Sequence, residues 1–414
     1  MYLNKIIENL SIQKKRLLIS IIIFLSVISL ILGIFFFNTS FFYQYLVPPA
    51  LWDKTIFIFR DWQIILNAAK CSDLGYDVYS INPCDPPFES LHVYGSILLE
   101  LPFRDFLQFF YSRIFPLTIN GFFVALIISN FQFNNKIDYL IVFLFLLSPS
   151  TLLLLERFNI EIFIFIVIIS ISYFRSNIAS YFLIMLVSMT KFYPIVLSIF
   201  FIIKNNKNLK RIFFFFTTII TFLIFIFYEK EAIVKIYNIQ SQFTAYITTN
   251  FSIFAIKNFF DKFYNLDWHV MLFFFLVSNI IFTIYFIKKH GKNFFNDEKI
   301  DEYKEILFIL GIFILIFTYY VFSNFYYREI YIFCLIPLLL KKITSDKNIF
   351  CKYFLYLICV RYAFFIFLYH FIVFNPKVLF LFIKLFLDLS IMFYVLTFFL
   401  YINIFIIKKK IKLL

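Results

Sequence analysis

The sequence predicts an all-α polytopic membrane protein, and three observations carry that expectation. Hydrophobic residues make up 63% of the 414-residue chain and charged residues only 15%, where a soluble domain holds about 45–50% and about 25%. Apolar runs of roughly 20 residues, the length a helix needs to cross about 30 Å of hydrocarbon, recur along the whole chain. Lys and Arg gather at alternate ends of those runs, as the positive-inside rule requires. A soluble enzyme and a disordered chain are thereby excluded. The net charge of +14 reads as an insertion signal. No basic cluster is interleaved with aromatics on a soluble surface, so nucleic acid is not an expected partner and the lipid bilayer is. The 68 Phe beside only 6 Gly look like nucleotide bias in the coding sequence rather than function.

The first apolar run, 17–37, follows Lys14, Lys15 and Arg16, which places the N-terminus in the cytoplasm. It lacks a small-residue cleavage site near Phe37 and reads as a retained span. Further spans are expected at 114–131, 138–155, 160–174, 211–228, 269–287, 306–322, 329–340, 353–373 and 378–407, about ten in all within one integral-membrane domain over 1–414. Two outer loops are long, 38–113 and 229–268; the charged run 288–305 reads as a solvated linker.

The stretch 178–203 decides the topology. As a single crossing it would put Lys204, Lys207, Lys210 and Arg211 outside and invert every later loop, including the terminal Lys408, Lys409, Lys410 and Lys412. The expectation is therefore a re-entrant hairpin of two half-helices, 178–190 and 192–203, broken at Thr190–Lys191 with Pro194 just beyond. Each half spans only about 18 Å, and such breaks are tolerated where they line protein or water. With that choice both termini are cytoplasmic, the inner segments are strongly positive and the outer ones nearly neutral.

The first outer loop holds the densest polar composition, and chemistry is expected there. Arg60-Asp61-Trp62 opens a short amphipathic helix at the membrane face. A carboxylate at that junction, Asp61, can serve as general base for a hydroxyl acceptor; the plainer alternative is an acid stabilised by the helix dipole. Asp53 is a second candidate of the same kind. Gly75-Tyr76-Asp77 and Asn82-Pro83-Cys84-Asp85-Pro86 read as ordered turns. Cys71 and Cys84 share this loop and are candidates for a disulfide in an oxidising compartment. No CxxC or HExxH stretch and only 4 His argue against a zinc site.

Charges at helix depth are costly and functional by default. Arg157 and Glu161, spaced i,i+4, are placed to pair with each other. Arg157, Lys191 and Arg328 are expected to reach one water-lined cavity on the outer side, a set suited to phosphate or pyrophosphate; taken singly, each also fits snorkelling at the interface. Arg361, Lys384 and Asp388 read as a structural group on the last helices.

At these residues the chain resembles the GT-C class of integral-membrane glycosyltransferases, and within it the family-87-like enzymes that use polyprenol-phosphate sugars. The resemblance rests on five places between 1 and 340. RDWQIILNAA followed by GYDVYSINPCDP resembles the family's first outer loop and its aspartate, by position Asp61. LLLERFNIEIFIF resembles its ERxN turn, with Glu156, Arg157 and Asn159. SMTKFYP resembles its Lys-x-x-Pro segment, with Lys191 and Pro194. TTNFSIFAIKNF resembles an Asn-x-Ser stretch, with Asn250 and Ser252, and SNFYYREIYIF a YYR turn, with Tyr327 and Arg328. His92-Val93-Tyr94-Gly95 departs from the His/Asn-Tyr-Pro of the family and leaves Tyr94 as the acceptor-side match.

The resemblance implies a helical bundle of GT-C type in a bacterial cytoplasmic membrane, its active site facing outside. It implies an inverting enzyme without cofactor or metal. A polyprenyl-phosphate sugar is the donor, its phosphate on Lys191, Arg157 and Arg328, and a lipid-linked or cell-surface glycan is the acceptor, deprotonated by Asp61. Glu156, Asn159, Tyr327, Asn250, Ser252 and Tyr94 are the implied substrate contacts. Broken helices and buried charges also suit a transporter or flippase for a lipid-linked glycan, although no inverted repeat is evident; a polymerase-type assembly protein is a third reading.

Overall fold

The computed structural model describes residues 59–86, 89–101, 110–130, 136–174, 176–203, 209–242, 252–263, 268–290, 294, 301–320, 326–374 and 378–411. The expected span 17–37, Asp53 and Asn250 lie outside the described residues. The described chain is helical, with no strand among the described residues, because backbone in hydrocarbon must satisfy its own hydrogen bonds. In order, the helices are α1 (Arg60–Asp73), α2 (Phe115–Ser129), α3 (Lys136–Leu146), α4 (Pro149–Arg157), α5 (Glu161–Tyr173), α6 (Asn177–Thr190), α7 (Phe200–Ile203) and α8 (Leu209–Tyr228). Then follow α9 (Lys230–Gln242), α10 (Ile253–Phe263), α11 (Trp268–His290), α12 (Glu302–Tyr320), α13 (Ile336–Asp346), α14 (Ile349–Phe374) and α15 (Val378–Ile411). Two 3-10 segments, Tyr193–Ile199 and Tyr326–Leu335, lead into α7 and α13.

Six of these helical stretches are long and apolar enough to cross a membrane, or seven if the bent pair α3–α4 counts as one. The protein is thus a multi-pass helical membrane protein. Helix α12 is its centre, with 72% of its apolar window buried; the windows on α8 and α11 are only 17% buried. Their outward rows, such as Phe213, Phe216, Ile220, Leu223 and Phe227 on α8, have the apolar character that lipid accepts. The 3-10 segment Tyr326–Leu335 lies close against α12 at Gly311, where a Cβ would come within 2.7 Å of the Cys334 Cβ.

Three expected spans take other forms. The run 138–155 is a helix pair bent by 50°. Ser148 caps α4 by accepting from the Thr151 amide at 3.3 Å, and Pro149 occupies the first turn of α4, where its missing N–H costs nothing. The run 160–174 is the 13-residue α5, about 20 Å long at 1.5 Å per residue. The run 329–340 starts as 3-10 helix and becomes α only at Ile336.

The stretch 178–203 breaks where the sequence expects it and turns back. Phe214 of α8 has its ring 6.2 Å from Tyr181 on α6 and 5.7 Å from Phe201 on α7. Phe225, three turns further along α8, is 6.2 Å from Phe192 at the break. The two legs therefore run in opposite directions beside one helix, with Lys191 and Phe192 at the tip. Pro194 has no N–H for the Thr190 carbonyl four residues back. That carbonyl instead accepts from the Gly95 amide at 3.0 Å.

A candidate active site where the first loop meets the hairpin tip

The first long loop is built around α1. Cys71 and Cys84 form the expected disulfide. Arg60 grips Asp85 with both terminal nitrogens at 2.6 Å, and Asn67 and the Ser90 amide donate to the same carboxylate at 2.9 and 3.1 Å. Burial works against the charge on Asp85, but the Arg60 and Asn67 hydrogen bonds outweigh it and hold its carboxyl below the usual value. The loop also clamps to the segment that follows α8: Ser96 donates to Glu229 at 2.6 Å, and Lys235 of α9 to Asp77 at 2.6 Å.

Two phenylalanines in left-handed backbone dock α1 onto α4. Phe59 (φ 60°) precedes α1 and Phe158 (φ 48°) ends α4, a conformation that costs a non-glycine residue about 1 kcal/mol. Their rings meet edge-on at 5.9 Å, in a buried cluster with Trp62, Phe115 and Phe163, and the Phe59 amide donates to the Glu156 carbonyl at 2.8 Å. This docking sets Asp61 opposite Arg157 and Asn159. Asp61, 7% exposed, accepts from Arg157 Nη1 at 3.0 Å on one oxygen and from Asn159 Nδ2 at 2.5 Å on the other.

Asn159 extends the network. Its Oδ1 accepts from Lys191 Nζ at 3.1 Å and from the Glu161 amide at 3.1 Å, while its amide nitrogen also lies 3.4 Å from the Tyr94 hydroxyl. Lys191 sits 5.2 Å from the centre of the Tyr94 ring and donates to Glu161 Oε1 at 2.7 Å. Arg328 Nε donates to that same oxygen at 2.7 Å. The hydroxyls of Tyr193 and Tyr331 donate to Glu161 Oε2 and stand 3.0 Å from each other.

Of the residues expected at a site, Asp61, Arg157, Asn159, Lys191, Tyr94 and Arg328 thus fall into one network. Glu156 contributes its carbonyl to the α1–α4 junction. Tyr327 lies in the 3-10 segment that carries Arg328. Ser252 is buried just before α10, with no contact to the Asp61 network among the described residues. The i,i+4 pairing of Arg157 with Glu161 does not form. The left-handed turn at Phe158 throws the two side chains apart, Arg157 to Asp61 and Glu161 to Lys191 and Arg328. Each of the three cations is therefore ion-paired, Arg157 to Asp61 and both Lys191 and Arg328 to Glu161.

The sequence reading missed Glu161, Tyr193 and Tyr331 as parts of the site. A carboxylate opening a helix as apolar as α5 was the available signal, since burying one without partners is prohibitive. A second buried network lies deeper. Arg361 bridges Glu329 Oε1 (2.5 Å) and Asp388 Oδ1 (2.6 Å), and Lys384 reaches Asp388 Oδ2 at 2.8 Å. It unites the three charges read as structural and adds Glu329, the neighbour of Arg328. No family model, curated protein or solved structure matches the chain.

Proposed function

We propose that the protein is a membrane glycosyltransferase with a GT-C-like bundle, moving a sugar from a polyprenyl-phosphate donor to a glycan hydroxyl with inversion. The observation that carries this reading is the hydrogen-bonded line from Asp61 through Asn159 to Lys191. It puts a carboxylate and a phosphate-type cation, from motifs far apart in the chain, on the two ends of one amide. Arg157 and Asn159 each occupy one oxygen of Asp61, and an ionised carboxylate has lone pairs left for an acceptor hydroxyl.

In this mechanism Asp61 takes the proton as the acceptor oxygen attacks the anomeric carbon. The bond from that carbon to the phosphate oxygen breaks, and the lipid phosphate leaves with the electron pair. Lys191, Arg328 and Arg157 face the charge that grows on it, which is where binding becomes rate. Tyr94, beside both Asn159 and Lys191, lines the acceptor side. The Cys71–Cys84 disulfide fits an oxidising compartment, which supports a site on the outer face of a bacterial cytoplasmic membrane; the distribution of Lys and Arg supports cytoplasmic termini and a re-entrant hairpin at Lys191.

The test is the purified chain in lipid nanodiscs with a panel of polyprenyl-phosphate hexoses and pentoses and lipid-linked glycan acceptors. Transfer from at least one donor, with inverted anomeric configuration and release of polyprenyl phosphate, is expected. Absence of both transfer and polyprenyl-phosphate binding across the panel contradicts the reading.

A further inference from the structure

Glu161 is wholly buried, and its side chain meets four side chains, Lys191, Arg328, Tyr193 and Tyr331. Lys191 and Arg328 both donate to its Oε1, at 2.7 Å each, so two like charges from separate segments stand side by side on one oxygen. The carboxylate between them offsets their mutual repulsion. Tyr193 and Tyr331 secure the other oxygen, and the Arg328 guanidinium lies 4.8 Å from the centre of the Tyr193 ring. The bond from Arg328 to Glu161 is made by Nε. The Glu161 amide fixes Asn159 at 3.1 Å, so the same residue also reaches the Asp61 end of the site.

We propose that Glu161 is a positioning residue of this site: it holds Lys191 and Arg328 at one point so that both act on the same phosphate. The proposal rests on the glycosyltransferase reading above. It implies that Glu161 governs how well the cations meet the departing phosphate, not how much positive charge the site carries.

Glu161→Gln separates those two effects, because it keeps the volume and removes the carboxylate charge. The measurements are kcat and KM with a donor that the wild type uses, and the affinity of the purified chain in nanodiscs for farnesyl phosphate. Farnesyl phosphate is expected to bind at least as tightly as to wild type, since the site has lost a negative charge. kcat is expected to fall about 100-fold, the scale of a lost transition-state electrostatic contact. An unchanged kcat per folded molecule, with only the folded fraction reduced, overturns the proposal.

Tyr331→Phe decides the matter if the glutamine variant fails to fold. It removes one hydroxyl from Glu161 without altering either cation, and about a 3- to 10-fold loss in kcat is expected, at unchanged farnesyl-phosphate affinity; an unchanged kcat overturns the proposal. A wild-type chain that neither transfers sugar nor binds farnesyl phosphate overturns the glycosyltransferase reading, and this inference with it. An active wild type whose variants keep full kcat overturns only the role of Glu161.

Discussion

Gly95 stands where no side chain fits. A Cβ there would come within 1.8 Å of the Met189 carbonyl oxygen, and backbone cannot swing aside as the end of a side chain can. Gly95→Ala is expected to break the bond to the Thr190 carbonyl and cost about 3 kcal/mol, read as a lowered thermal unfolding midpoint with loss of activity. The sequence held Pro194 in view as a helix breaker, but not the carbonyl that its missing N–H releases. That carbonyl's partner is a residue in another loop, and no local pattern announces it.

His92 has a different sensitivity. It is fully buried between Tyr79 and Tyr94, their ring centres 5.3 and 5.7 Å from its own. Burial pushes its imidazole down to about 4 from the ordinary 6.5, so the folded loop keeps it neutral where an unfolded chain has already bound a proton. Stability is complete above pH 6.5, falls as pH drops from 6.5 to about 4, and loses no more to His92 below that. The lowered carboxyl of Asp85 adds a further loss only below its ordinary 3.8. Hydrogen-exchange protection over 59–101, taken relative to the intrinsic exchange rate at each pH, is expected to fall between pH 6.5 and 4 in the wild type. In His92→Phe, which keeps the ring stack, that loss of protection is expected to vanish; wild-type protection that stays constant over this range contradicts the assignment.

At the scale of elements, covalent and ionic ties reinforce the small apolar core of the first loop, made of Ala68, Ala69, Cys71, Val78 and Leu99. The disulfide and the Arg60–Asp85 grip bracket α1, and Asp61 follows Arg60 directly. Cys71→Ser with Cys84→Ser is expected to destabilise the loop by about 2–4 kcal/mol, seen as faster proteolysis within 59–101 while the helical bundle stays protected. Both cysteines, the polar loop and the break at Thr190–Lys191 were legible in the sequence because each is a local signal. The Arg157–Glu161 pairing was misread because i,i+4 reasoning holds only inside an unbroken helix. A phenylalanine in left-handed backbone at 158 ends α4 between the two residues, and Phe carries no warning of that conformation. The excess of phenylalanine, which composition alone leaves idle, supplies the ring cluster that docks α1 on α4.

At the scale of the whole molecule, the Glu161 and Arg361 networks among the described residues are joined by neighbours in one 3-10 segment, Arg328 to the site and Glu329 to Arg361. Removing Arg361 alone strips Glu329 of its ion pair and leaves Asp388 with Lys384 only, and Arg361→Leu is expected to cost about 3–5 kcal/mol. Replacing Glu329, Arg361, Lys384 and Asp388 together with Leu is expected to restore much of that in a thermal melt, while a further loss would give the network a role beyond charge balance. The hairpin has its own global test. A cysteine introduced at Asn206 is expected to resist a membrane-impermeant maleimide added outside intact cells, and labelling there would invert the topology of everything that follows. The polytopic helical class followed from composition and run length; the bent α3–α4 pair and the short α5 did not, because hydropathy registers length and not direction.

The central claim is that Asp61 is the base of a sugar transfer whose leaving phosphate rests on Lys191 and its neighbours. It is tested most directly by Asp61→Asn in the purified, nanodisc-embedded chain, with transfer from a polyprenyl-phosphate donor and farnesyl-phosphate binding measured on the same sample. The expected result is a fall in transfer of at least about 100-fold, the scale of general-base catalysis, with binding retained. Undiminished transfer by the asparagine variant would contradict the account.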